Sequence, residues 1–273
     1  MKSLDSESIE RFRTDGYLAP IRVISEAQAL RCREKLEDYE QSAGGISSIY
    51  KFKLNLLFQW ADELIRNDKI LDPVEDLLGS NIFCWNSNLF LKEAGDPKYV
   101  AWHQDSPYQG MSESEGVAAW VALAPSTIDN GALQVIPGSH LRGDIVHRET
   151  DDEHNMLMRH QEIAVELNKD DTVHLILKPG EMSLHHTRII HASAPNKSDD
   201  RRLGLAIRYI PTHIHQVAGF HNSVALVRGV DEFGHYELEP SPQSDFDPET
   251  LAFHVRYADN QAKNLTHDLQ VTR

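Results

Sequence analysis

The chain is expected to be a mainly β protein, an antiparallel barrel or double-sheet jelly roll flanked by α-helices. Two observations predict this. Apolar residues recur at helical spacing up to Gly79 and at a spacing of two from Asn81 onward, and the second region consists of short strands separated by Gly and Pro turns. A nucleotide-binding glycine fingerprint and an internal repeat are both missing from the 273 residues.

In chain order, Ser25-x-x-Gln28 reads as a capping box. Ala29, Cys32, Leu36 and Tyr39 follow on one face, so Cys32 is expected at a core, and Gly44-Gly45 ends the helix. Leu54, Leu57, Phe58, Ala61, Leu64 and Ile65 suggest a second helix. Asp72 as cap, with Pro73 in first position and Gly79 at the end, suggests a third. From 82 to 92 the alternation places Phe83, Trp85, Ser87, Leu89 and Leu91 on one face of a strand, and Cys84, Asn86, Asn88, Phe90 and Lys92 on the other. The second set suits either the wall of a polar cavity or a solvent-facing side. After the Gly95-Asp96-Pro97 turn comes Trp102-His103-Gln104-Asp105, then strands at 117–124, 131–136, 172–177, 181–186 and 202–210. A last helix is expected from Asp247 to about Ala262.

A chain of this length suits one domain. The expected division is a helical flank (1–80), a core (81–211) with a polar insertion at 147–171 that is either a lid or a solvated excursion, and a C-terminal extension (212–273). The formal net charge of -15 argues against nucleic acid or an anionic membrane as partner, since phosphates call for a basic face. No apolar run approaches the ~20 residues of a membrane span, and the polar start lacks the apolar core of a secretory signal, so a cytoplasmic protein is expected. Cys32 and Cys84 both sit in patterned segments and read as structural thiols.

The chemistry starts at His103 and Asp105. On a strand, residues two apart face the same way, and an imidazole beside a carboxylate is two thirds of the facial triad that holds non-haem Fe(II). His191, within His191-Ala192-Ser193-Ala194-Pro195-Asn196, is the candidate third ligand, with His185 and His186 as rivals. Two imidazoles and one carboxylate leave three adjacent positions for a bidentate co-substrate and O₂, and 2-oxoglutarate fits them. Its distal carboxylate then needs a cation, which a guanidinium supplies bidentately. Arg202, followed on its face by the small Gly204 and Ala206, supplies that cation and leaves room for a dicarboxylate; the alternative is that Arg201 and Arg202 balance Asp199 and Asp200 on a surface turn. Ser139-His140 could suggest a nucleophile and its base, but the Pro137-Gly138 turn accounts for the segment.

Trp102 to Asp105, the run from Asn130 to His140, His191-x-Ser193-x-Pro195-Asn196 and Arg202 together resemble the phytanoyl-CoA dioxygenase family. That resemblance, over about Gly16 to Val230, implies a cupin-like double-stranded β-helix and an Fe(II)- and 2-oxoglutarate-dependent oxygenase using O₂. By position it implies His103, Asp105 and His191 as iron ligands and Arg202 and Ser193 at the distal carboxylate. It implies Trp120 on the co-substrate wall, and Asn88 and Lys53 (or Lys51) as further contacts. Halogenating relatives carry a small residue in place of the acid, so Asp105 favours hydroxylation, releasing succinate and CO₂.

For the substrate, the candidate contacts are Asn86, Phe90, Arg208 and His186. An inward Arg208 suits an anionic group, or it pairs with an acid of the site. A small polar metabolite (a natural product, amino acid or phosphonate) is the favoured class; acyl-CoA hydroxylation is an alternative. Desaturation, rearrangement or demethylation would use the same residues, and a jelly roll that binds metal or metabolite without turnover is the non-enzymatic alternative. Oligomeric state is not legible in the sequence.

Overall fold

The computed structural model describes residues 2–106, 110–217 and 222–271, with side chains to 261. The N-terminal part runs α1 (Ser6–Asp15), β1 (Tyr17–Arg22), α2 (Glu26–Ala43), α3 (Gln59–Ile65) and α4 (Asp68–Leu78). Then come β2 (Ile82–Lys92), β3 (Val100–His103), β4 (Val117–Ala122), β5 (Leu133–Val135), β6 (His147–Arg148), β7 (Glu162–Ile163), β8 (Val173–Leu175), β9 (Glu181–His186), β10 (His191–Ser193) and β11 (Arg202–Pro211). The tail carries β12 (Ser223–Arg228), β13 (Glu237–Leu238) and α5 (Pro248–Val271). Seven strands form the larger sheet in the order β1-β9-β4-β11-β2-β12-β13, and four form the smaller in the order β3-β10-β5-β8. This is the mostly β, jelly-roll architecture with flanking helices that the alternation predicted.

Residues paired across an antiparallel ladder share a face. On β11 and β2 the pairs Arg202↔Lys92, Gly204↔Phe90, Ala206↔Asn88 and Arg208↔Asn86 therefore line one side. β4 continues it with Ala122, Trp120 and Ala118, and β9 with Ser183 and His185. The opposite side, with Leu203, Leu205, Ile207, Leu89, Leu91, Val121 and Leu184, packs into one apolar core with Leu36 of α2, Ile65 of α3 and Ile70 and Val74 of α4. The sheet thus keeps its polar row for the face turned away from the helices.

Several elements depart from the sequence reading for identifiable reasons. Between Arg208 and Tyr209 the register advances one residue on β11 but two on β2, so Trp85 is an extra residue and the faces exchange there. Cys84, expected beside Asn86, therefore lies opposite Tyr209 in the helix-side core. α2 keeps its Ser25 capping box, with Cys32 half-buried against the core. The expected second helix is a 3-10 turn, Leu54–Leu56, followed by α3. α4 starts from an Asn67 cap, and Pro73 lies inside it; Asp72-Pro73 imitates a helix start without being one. The 147–171 segment, joined by β6 and β7, packs Ile163 against Ile136, Ile190 and Trp102. β12 joins the edge of β2, giving the C-terminal extension a place in the large sheet.

Candidate metal and co-substrate site

β10 lies between β3 and β5, with His191 directly opposite His103, which brings the two imidazole rings to 4.0 Å between centroids. Each ring is oriented by its own backbone. Nδ1 of His103 lies 2.9 Å from Ala101 O, and Nδ1 of His191 lies 3.0 Å from Ile189 O. With Nδ1–H donating to those carbonyls, both Nε2 lone pairs are left for a metal. Asp105 lies just past the end of β3, where its backbone N–H donates to Thr187 O at 3.0 Å. Its Oδ1 lies 3.5 Å from His103 Nε2, and one ligand atom from each of His103, Asp105 and His191 falls within 4.8 Å of the others. All three are buried.

The electrostatics suit a divalent cation. Burial alone would raise the Asp105 carboxyl, but the Arg208 guanidinium and the neighbouring imidazoles outweigh it and hold the group well below the usual carboxylate range. Burial, with His103 alongside, pushes His191 well below its ordinary value and keeps the ring neutral. A neutral imidazole pair and an ionised carboxylate form the donor set of non-haem iron sites. The residues present therefore fit the metal.

Arg208 grips Asp105 bidentately, Nε to Oδ2 at 2.9 Å and Nη2 to Oδ1 at 2.8 Å. Of the two roles its sequence position allowed, the structure shows pairing with an acid of the site. Asn88 and Asn86 complete the cluster: with the Asn88 amide oriented to satisfy its neighbours, its nitrogen lies 2.7 Å from Asn86 Oδ1 and its oxygen 3.3 Å from Arg208 Nη1. The histidine beside the candidate metal triad is His185, whose ring centroid is 5.0 Å from that of His191. His186, expected in the cavity, faces the other way: its Nδ1 accepts from the Arg188 N–H at 3.0 Å and its ring lies against His140 and Phe12. Strand alternation allowed only one of the pair to face inward, and the spacing did not say which. Ser139 and His140 make no catalytic pair, since the serine hydroxyl accepts from the Ile190 N–H and the histidine Nε2 faces Arg13 O.

The other end of the same face holds Arg202, 2% exposed, with its guanidinium 5.0 Å from the Trp120 ring. Nη1 donates to Gly131 O, and Nε is buried without a partner among the described residues. Gly131 must be glycine: its φ is +78°, and a Cβ there would meet Ala194 O. Gly204 is small for a different reason than the sequence suggested, because a Cβ would lie 2.0 Å from Trp120 Cζ2. The indole, not a ligand, occupies that space. Phe90 lies opposite Gly204 and packs with Trp120 and Ala206. Ser193 Oγ accepts from Lys92 Nζ at 2.6 Å.

Lys53 is not brought to this end. Its ammonium is wholly engaged by Glu239 Oε1 at 2.5 Å, Trp85 O at 2.6 Å and Ser223 O at 2.7 Å. Asn55 Nδ2 and Ser223 Oγ donate to the same carboxylate. The lysine joins the helical flank, β2 and the C-terminal extension through one buried cluster. Its partner Glu239 lies far off in sequence, where no local pattern signals it. Also from the extension, Tyr257 lies near enough to Arg208 for each to influence the other's ionisation. Beside Tyr257 opens a cleft of about 500 Å³ lined by His215, Asn222, Ser223, His235 and Tyr236.

Known proteins agree with this layout. The family model described as phytanoyl-CoA dioxygenase matches residues 12–204. A probable alpha-ketoglutarate-dependent hypophosphite dioxygenase of Stutzerimonas stutzeri is 27% identical over 75% of this chain and 78% of its own. L-proline trans-4-hydroxylase of Streptomyces griseoviridis is 25% identical over 73% and 84%. Among solved structures, the non-heme monooxygenase ThoJ in its apo form superimposes with a TM-score of 0.84 at 34% identity, covering 96% of this chain and 98% of that one. CytC3 with Fe(II) and alpha-ketoglutarate gives a TM-score of 0.66 at 25% identity, over 90% and 96%. On the family match across most of its length, the chain belongs to the phytanoyl-CoA dioxygenase family.

Proposed function

We propose that this protein is an Fe(II)- and 2-oxoglutarate-dependent oxygenase that hydroxylates a small polar metabolite. The observation that carries the reading is the pairing, on facing sheets, of the His103-Asp105-His191 triad with a buried arginine, Arg202, that makes no ion pair with an acid among the described residues. His103, Asp105 and His191 would hold the iron. When bound, the iron with 2-oxoglutarate and O₂ supplies the oxidising chemistry that releases succinate and CO₂ and hydroxylates the substrate.

The rest is positioning by the chain's own groups. His191 and Ser193 point to the same side of β10, about 7 Å apart at two residues of strand rise. That spacing suits a five-carbon diacid with its keto acid at the metal and its distal carboxylate at Ser193 and Arg202. Arg208 keeps Asp105 ionised and fixes both carboxylate oxygens in place. Trp120 shields the Arg202 pole from water. The substrate would enter from the cleft beside Tyr257, whose histidines and asparagine suit a polar molecule. The net charge of -15 fits a small-molecule rather than a nucleic-acid partner, and among the described residues no helix is long and apolar enough to cross a membrane. We take the chain to work as one catalytic domain in the cytoplasm.

Anaerobic addition of Fe(II) and 2-oxoglutarate is expected to give a weak visible charge-transfer band. A substrate screen reading succinate release then identifies the metabolite class. Absence of the band together with no succinate from any substrate, acyl-CoA thioesters included, would favour a non-catalytic binding protein. Arg202→Ala is expected to weaken 2-oxoglutarate binding about 30-fold or more through loss of a charge-assisted pair; unchanged affinity would remove Arg202 from the site.

A further inference from the structure

Lys92 ends β2 directly opposite Arg202, on the face that carries the co-substrate site, and both side chains are buried, at 0% and 2% exposure. Its Nζ is surrounded by three oxygens: Ser193 Oγ at 2.6 Å, Ser193 O at 3.2 Å and Ala194 O at 2.5 Å. Ser193 O is the most distant of the three, so an ammonium there keeps one weakly held N–H that can turn to a further acceptor. All three oxygens are uncharged. Neighbouring Arg202 donates to the Gly131 carbonyl and keeps a buried Nε without a partner among the described residues. Among the described residues neither cation makes an ion pair with an acid. Two adjacent buried cations that meet only neutral oxygens are costly unless an anion joins them.

We propose that Lys92 is the second cation of the co-substrate site, so that its ammonium and the Arg202 guanidinium together receive the distal carboxylate of 2-oxoglutarate. The proposal rests on the oxygenase reading above and adds a residue to it. Ser193 Oγ accepts from Lys92, which leaves the serine's own proton free for the same carboxylate. The arrangement selects a diacid over a keto acid with one carboxylate, because only the diacid brings the anion that the two cations lack.

A proton accompanies this binding. The charged groups that face Lys92 are Arg202 from β11 and Asp96 from the turn after β2, while β10 offers only neutral oxygens. Burial first, and Arg202 second, push the Lys92 amine down to about 6 in the protein without co-substrate. A carboxylate seated between the two cations favours the ammonium, so above that pH the amine takes up a proton as 2-oxoglutarate binds. Affinity therefore falls as pH rises, approaching tenfold per pH unit, the limit for one linked proton.

The test is calorimetric titration of the full chain, loaded anaerobically with Mn(II), with 2-oxoglutarate at about pH 6.5 and about pH 8 in buffers of different ionisation enthalpy. The wild type is expected to take up nearly one proton at the higher pH and to bind roughly 20-fold more weakly there. Lys92→Met should lower affinity about 10- to 100-fold and abolish the proton uptake. Lys92→Arg, charged at both pH values, should keep most of the affinity yet lose the uptake, which tests the idea even if the methionine variant fails to fold. Arg202→Met should bind more weakly while still taking up the proton. Lys92→Met or Lys92→Arg showing wild-type affinity and an unchanged proton count would overturn the role of Lys92 and leave the co-substrate reading standing. A wild type that binds no 2-oxoglutarate at either pH would overturn both.

Discussion

A methyl group at Gly204 would sit 2.0 Å from the Trp120 indole, and that indole in turn covers the guanidinium of Arg202. The three residues form a stack in which the glycine sets where the arginine lies. Gly204→Ala should force the ring aside, destabilising the fold by about 1–3 kcal/mol as overpacked positions do and weakening 2-oxoglutarate binding with no change in charge. Chemical denaturation and co-substrate titration of the same variant measure the two effects separately. At the other end, Arg208 acts through Asp105. Arg208→Met removes the group that holds the carboxyl low and orients it, so Fe(II) affinity should drop about 10- to 100-fold, the usual effect of losing a partner of a metal ligand. Equal metal affinity with a raised substrate KM would instead assign Arg208 to the substrate.

Among the elements, those whose signals are local were legible and those set by distant contacts were not. The capping box at Ser25 and the alternation from Ile82 to Lys92 contain their own evidence, and both elements form where expected. The faces of β2 were readable only as far as Asn86, because the bulge at Trp85 is a property of the pairing with β11 and leaves no mark in the alternation. β5, β8 and β10 have three residues each, too few to display a period; His191 was found through its chemistry, not its strand. α1 and β1 went unread although Asp5 caps the helix and Gly16 ends it. For α4 the Asp72-Pro73 pair concealed the real start. Asn67 accepts from the Lys69 N–H at 2.9 Å, so Asn67→Ala should cost about 1 kcal/mol, while Asp72→Ala should leave the helix start intact. Thermal melts of the two variants decide between the starts.

For the whole molecule, the site joins histidines and an acid from both sheets in a buried, nearly neutral arrangement, and this makes stability depend on pH. His185 and His186 have pKa values of about 4, lowered chiefly by burial, and His191 lies well below its ordinary value for the same reason. In the unfolded chain these rings titrate near 6.5, so between about pH 6.5 and about pH 4 the unfolded state binds more protons than the folded one, and stability falls with pH across that window. Each of His185 and His186 contributes roughly 3 kcal/mol to the fall, from 1.36 kcal/mol per unit of pKa difference. Asp105 adds a further loss below its unfolded value of about 4, since its depressed carboxyl stabilises the fold only while ionised. Bound Fe(II) should raise the melting temperature near neutral pH by mass action. That increment should vanish on acidification before the metal-free protein unfolds, because protons compete with the metal for its ligand atoms. Melting curves of metal-free and Fe(II)-loaded protein, recorded anaerobically from about pH 7.5 down to about pH 4.5, should therefore converge as both decline. A metal-free melting temperature that stays flat over this range would show that the histidines titrate in the fold as they do in the unfolded chain, and with it that burial does not keep them neutral for a metal.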